Sequence, residues 1–329
     1  MNRALPIGGL IFVVLCVLLP VSLLAGRVWL PPSDIIRDLI SGNGQLAAII
    51  VTELRLPRTV LAVAVGAALG LSGAVLQGLT RNPLAEPGLL GVSMGASLGA
   101  VLAIYFGLST HFSAAVPIFG LLGALASTAL TFALGRGGGT RSLILAGAAV
   151  SAFASALISL ALNLAPSPYA AYEIMTWLLG SLADRSWDHV LLAGPFILVG
   201  CAMLAFTGPA LDALSLGEAQ AESLGIDLGR LRLMALVGTA IAVGAATSVT
   251  GAVGFVGLIA PHVVRPFTGY QPRQILLPAA LAGALLLLGA DVTTRLISFG
   301  PEMKLGVLTS LIGTPFFFWL VVRLRRTAP

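Results

Sequence analysis

Residues 87–135 contain no Asp, Glu, Lys or Arg. A run of that length without a formal charge can be packed only where hydrocarbon, not water, is the solvent. A helix needs about 20 apolar residues to cross a bilayer core of roughly 30 Å at about 1.5 Å per residue. This run therefore holds two crossings, divided near residues 109–113, where His111 marks a short polar turn. The same measure places a first span at residues 3–27 and a second at 58–79. It places a fifth at 142–165, a sixth at 190–206, a seventh at 233–249, a short eighth at 251–267, a ninth at 275–297 and a tenth at 305–322. The first run is too long for the apolar part of a signal peptide and is read as an uncleaved span. The expected fold is all-α: a polytopic membrane protein with about ten transmembrane helices in a single domain covering residues 1–329, with both termini cytoplasmic.

Composition excludes the soluble classes. Hydrophobic residues make up 57% of the chain and charged residues 9%, with a mean hydropathy of +1.01; a soluble chain carries about a quarter charged residues. The net charge of +5 comes from arginines and one lysine scattered between apolar runs, which marks topology and not a nucleic-acid surface. Cys16 and Cys201 lie inside apolar runs and read as small buried hydrophobes. With cytoplasmic ends, most of the basic residues fall inside, as the positive-inside rule requires. Arg27, Arg37, Arg55, Arg58, Arg185, Arg295 and Lys304 remain outside and need a separate explanation.

Three connecting segments stand out. Residues 27–57 form a polar, extended stretch with an amphipathic piece at 35–40. Residues 166–189 read as an external loop carrying a short helix. Residues 212–232 are the most polar part of the chain, with Leu216, Ala219 and Leu224 forming an apolar side and Glu218 and Glu222 a charged one. That pattern suits a surface on which a cytoplasmic protein docks.

Within the spans, Gly91, Gly95 and Gly99 are spaced to share a helical face where backbones can approach closely. Pro83, Pro87, Pro261, Pro301 and Pro315 are expected to break helices near membrane depth, which is tolerated only in contact with protein or a cavity. A weak repeat links Arg58, Ser72-Gly73-Ala74-Val75 and Gly78-Leu79 with Arg232, Thr250-Gly251-Ala252-Val253 and Gly257-Leu258. Either duplicated halves or convergence of Gly/Ala-rich spans would produce it. Asp291 and Arg295 are four apart and can pair, and His262 reads as a packing residue. There is no intramembrane relay of carboxylates of the kind an ion-coupled carrier would use, which argues against that rival. Nor is there a P-loop, zinc motif or nucleophile elbow. The chain is not expected to be an enzyme or to bind a cofactor, and energy must come from a partner.

Five segments in order resemble the FecCD family, the permease subunits of type II ABC importers for iron-siderophores, haem and vitamin B12. They are Arg55-Leu-Pro-Arg58, Asn82-Pro-Leu-Ala-Glu-Pro-Gly-Leu-Leu-Gly91, Leu216-Gly-Glu-Ala-Gln-Ala-Glu-Ser-Leu-Gly225, Gly254-Phe-Val-Gly-Leu-Ile-Ala-Pro-His262 and Gly313-Thr-Pro-Phe-Phe317. The resemblance implies a homodimer with the channel on its two-fold axis. It also implies two cytoplasmic ATPase subunits that hold the ATP and Mg, and a periplasmic substrate-binding protein. It assigns docking of the binding protein to Arg55, Arg58 and Arg295, as exposed cations. Coupling to the ATPase falls to Leu216, Gly217, Glu218, Ala219, Glu222, Leu224 and Gly225, within coupling helices at about 212–230. A cytoplasmic gate falls to Asn82, Leu84, Thr140 and Ser142, although Gly137-Gly138-Gly139 departs from the B12 permease pattern. The expected cargo is an iron chelate (haem or a ferric siderophore), with cobalamin second.

Overall fold

The computed structural model describes residues 4–26, 29–41, 46–297 and 302–327. In lipid every backbone polar group needs an internal partner, so apolar runs fold as helices. The chain contains α1 (Ala4–Leu24), α2 (Pro32–Ser41), α3 (Leu46–Ile49), α4 (Leu56–Thr80), α5 (Val92–Tyr105), α6 (Leu108–His111), α7 (Ala115–Gly135) and α8 (Gly139–Asn163). It continues with α9 (Pro168–Leu178), α10 (Trp187–Ala205), α11 (Gly208–Leu214), α12 (Glu218–Ser223), α13 (Leu228–Thr250), α14 (Val256–Val264), α15 (Pro272–Ile297) and α16 (Leu305–Thr327). Among the described residues, eight helical segments are long and apolar enough to cross a membrane.

The expected third and eighth spans are not full-length helices. They are α5, of 14 residues, and α14, of 9 residues. Each follows non-α backbone: residues 81–91 before α5, and residues 251–254 before α14. Hydropathy does not distinguish the two conformations, because these preceding stretches are themselves largely uncharged. The two long helices that precede them, α4 and α13, are the most buried spans, each 78% inside the protein. The matched residues of the weak sequence repeat do not share a conformation: Ser72-Gly73-Ala74-Val75 and Gly78-Leu79 lie inside α4, whereas Gly251-Ala252-Val253 follow the end of α13 and Gly257-Leu258 lie in α14.

The second span starts earlier than expected. Helical backbone runs from Leu46, and residues 50–55 form a π-helical turn in which the Leu56 N–H donates to the Val51 carbonyl. Pro57 has no N–H to give, and the widened turn absorbs that loss without ending the helix.

The core is built on α4, α13 and α15, with α5 and α7 packed beside α13. Small residues set the closeness of these crossings. A Cβ added at Gly66 or Gly283 would collide with the other's backbone, so α4 and α15 meet main chain to main chain. Gly95 and Gly99 press on Ser127 and on the Phe119 carbonyl of α7 in the same way. Gly91, expected on that face, instead precedes α5 at φ +85°.

The proline expectation is corrected in part. Pro83 and Pro87 lie in the broken stretch, Pro301 lies outside the described residues, and Pro261 and Pro315 sit inside α14 and α16. Pro261 removes the donor that would serve the Gly257 carbonyl, and a neighbouring helix supplies a replacement. Buried Gln77 of α4 points its Nε2 at the carbonyls of Gly257 (3.5 Å) and Leu258 (3.4 Å). Its Oε1 accepts from Arg265 Nη2 at 2.6 Å, which fixes the amide orientation.

Candidate functional site

Charged side chains collect at the two ends of α4. At its N-terminal end Asp291 of α15, fully buried, accepts from Arg58 Nε at 2.9 Å and Nη2 at 2.8 Å and also from Arg295. Arg58 further pairs with Glu302. Arg295 donates to the Ser22 carbonyl and hydroxyl, each at 2.8 Å. Arg55, aimed by the π turn, donates Nη1 to the carbonyls of Leu23 (2.9 Å) and Leu24 (2.6 Å) at the end of α1. The i,i+4 pair of Asp291 and Arg295 is formed, but as half of a larger network.

The three arginines are therefore not the exposed cations expected of them. Arg55 is 9% exposed, and the side chains of Arg58 and Arg295 are 12% and 6% exposed. Their guanidinium groups serve unpaired carbonyls at a helix C-terminus and a carboxylate that would otherwise be buried alone, both strong demands at a membrane boundary. They still line a cleft of about 230 Å³ together with Asp184, Arg185 and Glu302. Arg185, in the connection between α9 and α10, contacts His189 Nε2 at 3.3 Å; burial pushes its pKa down, against the opposing charge of Asp184.

At the other end of α4 lies an elbow, residues 215–227, containing α12. Leu216 and Leu224 are 63% and 62% exposed, and Ala219, Glu222 and Gly225 are exposed beside them, while Ala221 turns into the core. The apolar side read in this segment thus faces outward. Gly217 (φ +120°) and Gly225 (φ +82°) take backbone conformations that favour glycine and bound α12 on either side. The Asp227 carboxylate caps α13 by accepting from the Arg230 N–H at 2.9 Å, and Asp212 accepts from the Arg273 N–H at 2.9 Å beside α15.

Glu218 leaves the elbow and reaches the membrane-spanning helices. It accepts from the Thr140 hydroxyl at 2.8 Å and pairs with Arg232 of α13 at 3.1 Å. The Thr140 hydrogen bond, then the charges of Arg232 and Arg81, hold its carboxyl below the usual glutamate value against a desolvation penalty. Two residue sets read separately in the sequence, Thr140 and the elbow, are therefore in direct contact. Asn82 folds on itself, accepting from the Leu84 N–H at 2.9 Å, and its own N–H bonds the Gln77 carbonyl at 3.2 Å. Both Asn82 and Leu84 are half-buried, as is Ser142, one turn into α8.

A third feature is a largely apolar cavity of about 630 Å³ lined by Leu179, Ala252, Gly254, Gly306, Leu311 and Pro315, among others. Backbone bonds define its wall: Ser181 N–H to the Thr250 carbonyl at 2.7 Å and Leu305 N–H to the Gly180 carbonyl at 3.0 Å tie α13, α16 and the end of α9 together. His262 packs edge-on against Phe316 (5.4 Å) and Trp319 (6.1 Å) of α16. Among the described residues no group of three or more His, Cys, Asp or Glu is placed to hold a metal ion.

The model of the FecCD transport family matches residues 13–323. The chain belongs to the FecCD transport family. This FecCD chain is 38% identical over 319 residues to the vitamin B12 import system permease protein BtuC of Klebsiella pneumoniae, covering 96% of this chain and 93% of that one. It is 40% identical over 278 residues to the hemin transport system permease protein HmuU of Yersinia pestis, covering 83% of each. A solved structure described as an inward-facing conformation of a metal-chelate type ABC transporter superposes with a TM-score of 0.85 at 32% identity, covering 97% of this chain and 99% of the other. The FecCD chain is thus a multi-pass inner-membrane permease subunit with the architecture of an ABC importer.

Sequence reasoning missed Gln77 and Glu302. Gln77 carried a signal: a lone amide in the apolar second span, in a chain with a proline inside another short span. Glu302 carried none, because it reaches Arg58 across 244 residues of sequence.

Proposed function

We propose that this FecCD chain is the channel subunit of an ATP-driven importer whose cargo is cobalamin, taken from a periplasmic binding protein and released to the cytoplasm. The observation that carries the cargo assignment is the extent of similarity to the B12 permease, 96% of this chain against 83% for the hemin permease. That reverses the order expected from the sequence, which put an iron chelate first. Haem remains the second reading, supported by the 40% identity to the hemin permease. An apolar cavity built of small side chains and bare backbone suits a bulky cargo that passes as the cavity changes shape, without a fixed binding group.

The partners follow from the same reading: a second copy of the chain, two ATPase subunits on the elbows, and a binding protein on the charged cleft. Exposed Leu216 and Leu224 beside Glu222 give the elbow the apolar anchors and polar rim of a docking surface. On the opposite face, Arg55, Arg58 and Arg295 act mostly through the positive field of the cleft, since they are already engaged within the chain. Docking by such a field weakens as salt shortens the Debye length. Asn82, Leu84, Thr140 and Ser142 are assigned to the cytoplasmic gate, and the elbow and both termini to the cytoplasm.

The test is uptake into proteoliposomes holding the permease and its ATPase subunits, with the cognate binding protein outside and ATP inside. Labelled cyanocobalamin should accumulate in an ATP-dependent manner, faster than haem or a ferric siderophore. Accumulation of haem without cyanocobalamin would overturn the cargo assignment; accumulation without ATP would overturn the importer reading.

A further inference from the structure

We propose that Glu218 is a positioning residue that latches the N-terminus of α8 to the elbow, so that motion imposed on the elbow by an ATP-hydrolysing partner is delivered first to α8. This rests on the importer reading above.

One carboxylate touches three elements. It begins α12, bonds Thr140 at the start of α8 and pairs with Arg232 in the first turns of α13. Arg81, at the end of α4, adds its charge from the fourth side. The start of α8 follows a glycine turn: Gly137 (φ +84°) precedes it and Gly139 (φ +68°) is its first residue. A Cβ built at Gly137 meets nothing within 4 Å, whereas one at Gly138 would meet Ser142 and one at Gly135 of α7 the backbone of Leu143. Leu143 is buried in the core, and the remainder of α8 packs on α5 and α7, with only 33% of its span inside the protein. The Thr140 hydrogen bond is thus the polar tie of α8 to the elbow, beside the apolar contact of Leu143 with α7.

Magnitude favours a latch over a structural brace. A partly exposed ion pair adds little to the stability of a large helical bundle. A contact that weak can break and reform within a transport cycle, and while formed it joins the start of α8 to the elbow.

The experiment uses the permease assembled with its ATPase subunits in nanodiscs, with Cys16 and Cys201 replaced by serine. Spin labels are placed at Arg141→Cys on α8 and Ser223→Cys on α12, both exposed positions. The parent protein should give one narrow population for the short, within-chain distance with and without ATP–vanadate, the between-chain distances being identified from singly labelled protein. Thr140→Val, which keeps shape and removes the hydroxyl, and Glu218→Gln should each give a second distance population under ATP–vanadate. Thr140→Ser should behave as the parent does, and the double variant Thr140→Val/Glu218→Gln should be no worse than either single one. Unchanged distances in Thr140→Val, or equal defects in Thr140→Val and Thr140→Ser, would overturn the latch. Hydrolysis lost in Glu218→Gln alone, with Thr140→Val silent, would also overturn it, by placing Glu218 in the ATPase contact; the importer reading would stand. A parent chain that retains no ATPase subunit would overturn both.

Discussion

Asp291 makes plain what single side chains do in this protein. It is fully buried and shared by two arginines from two helices. Removing its charge leaves Arg58 with Glu302 alone and takes from Arg295 the carboxylate it pairs with, and breaking a buried pair in this way costs about 3–5 kcal/mol. Asp291→Asn should therefore lower the melting temperature in detergent sharply, whereas Asp188→Asn, at an exposed position, should leave it unchanged; equal melting of the two would contradict the network. Glu218 gives a pH signature of opposite character, because it is partly exposed. Its folded pKa lies below the ordinary 4.5, so its interactions contribute fully above about that pH and are lost as pH falls through the lower folded value. With labels at Arg141→Cys and Ser223→Cys, the parent should keep its short within-chain distance at neutral pH and gain a second population as the pH falls below 4.5, whereas Glu218→Gln should be insensitive to that change. Of these contacts, only Asp291 with Arg295 was legible in the sequence, because helix geometry alone brings i and i+4 together. Arg58 reaches Asp291 across 233 residues, and Thr140 reaches Glu218 across 78. Nothing local encodes either meeting.

At the scale of elements, periodicity and charge spacing located the apolar segments but not their conformation. Residues 251–254 are non-helical while α14 is helical, and the two differ little in polarity. The expected second span begins at residue 58, after a polar stretch; helical backbone in fact starts at Leu46, and the π turn at residues 50–55 carries it through Pro57. Glycine spacing was more informative, and it leads to a prediction. Gly66 meets the backbone of Gly283, which cannot yield as a flexible side chain would, whereas Gly194 on α10 has nothing within 4 Å of its would-be Cβ. Gly66→Val should overpack the α4–α15 crossing at a cost of about 1–3 kcal/mol. It should reduce the yield of monodisperse protein on size exclusion, and Gly194→Val should not. If Gly194→Val proved as damaging, helix propensity and not close approach would be the cause.

For the molecule as a whole, the charge clusters give it two unlike ends. Arg58 and Arg81 stand 23 residues apart along α4, about 35 Å at 1.5 Å per residue, which is a full bilayer core. The α9–α10 connection, the end of α15 and the start of α16 gather at the Arg58 end; the elbow and the starts of α8 and α13 gather at the other. This arrangement explains why the positive-inside count left arginines over. Arg55, Arg58 and Arg295 are internal ties that hold helix ends at one boundary, not surface charges that set orientation. Sidedness is then a sharp prediction. In a Cys16/Cys201→Ser background, Ser223→Cys on the exposed face of α12 and Tyr169→Cys on α9, where the native side chain is 74% exposed, should react with an impermeant maleimide from opposite faces of the membrane. Ser223→Cys should label in inside-out vesicles and Tyr169→Cys in right-side-out ones, because only that orientation presents the elbow to a cytoplasmic ATPase. Labelling of both from one face would contradict the two-ended fold. Labelling from opposite faces in the reverse sense would keep the fold and reject the proposed direction of transport.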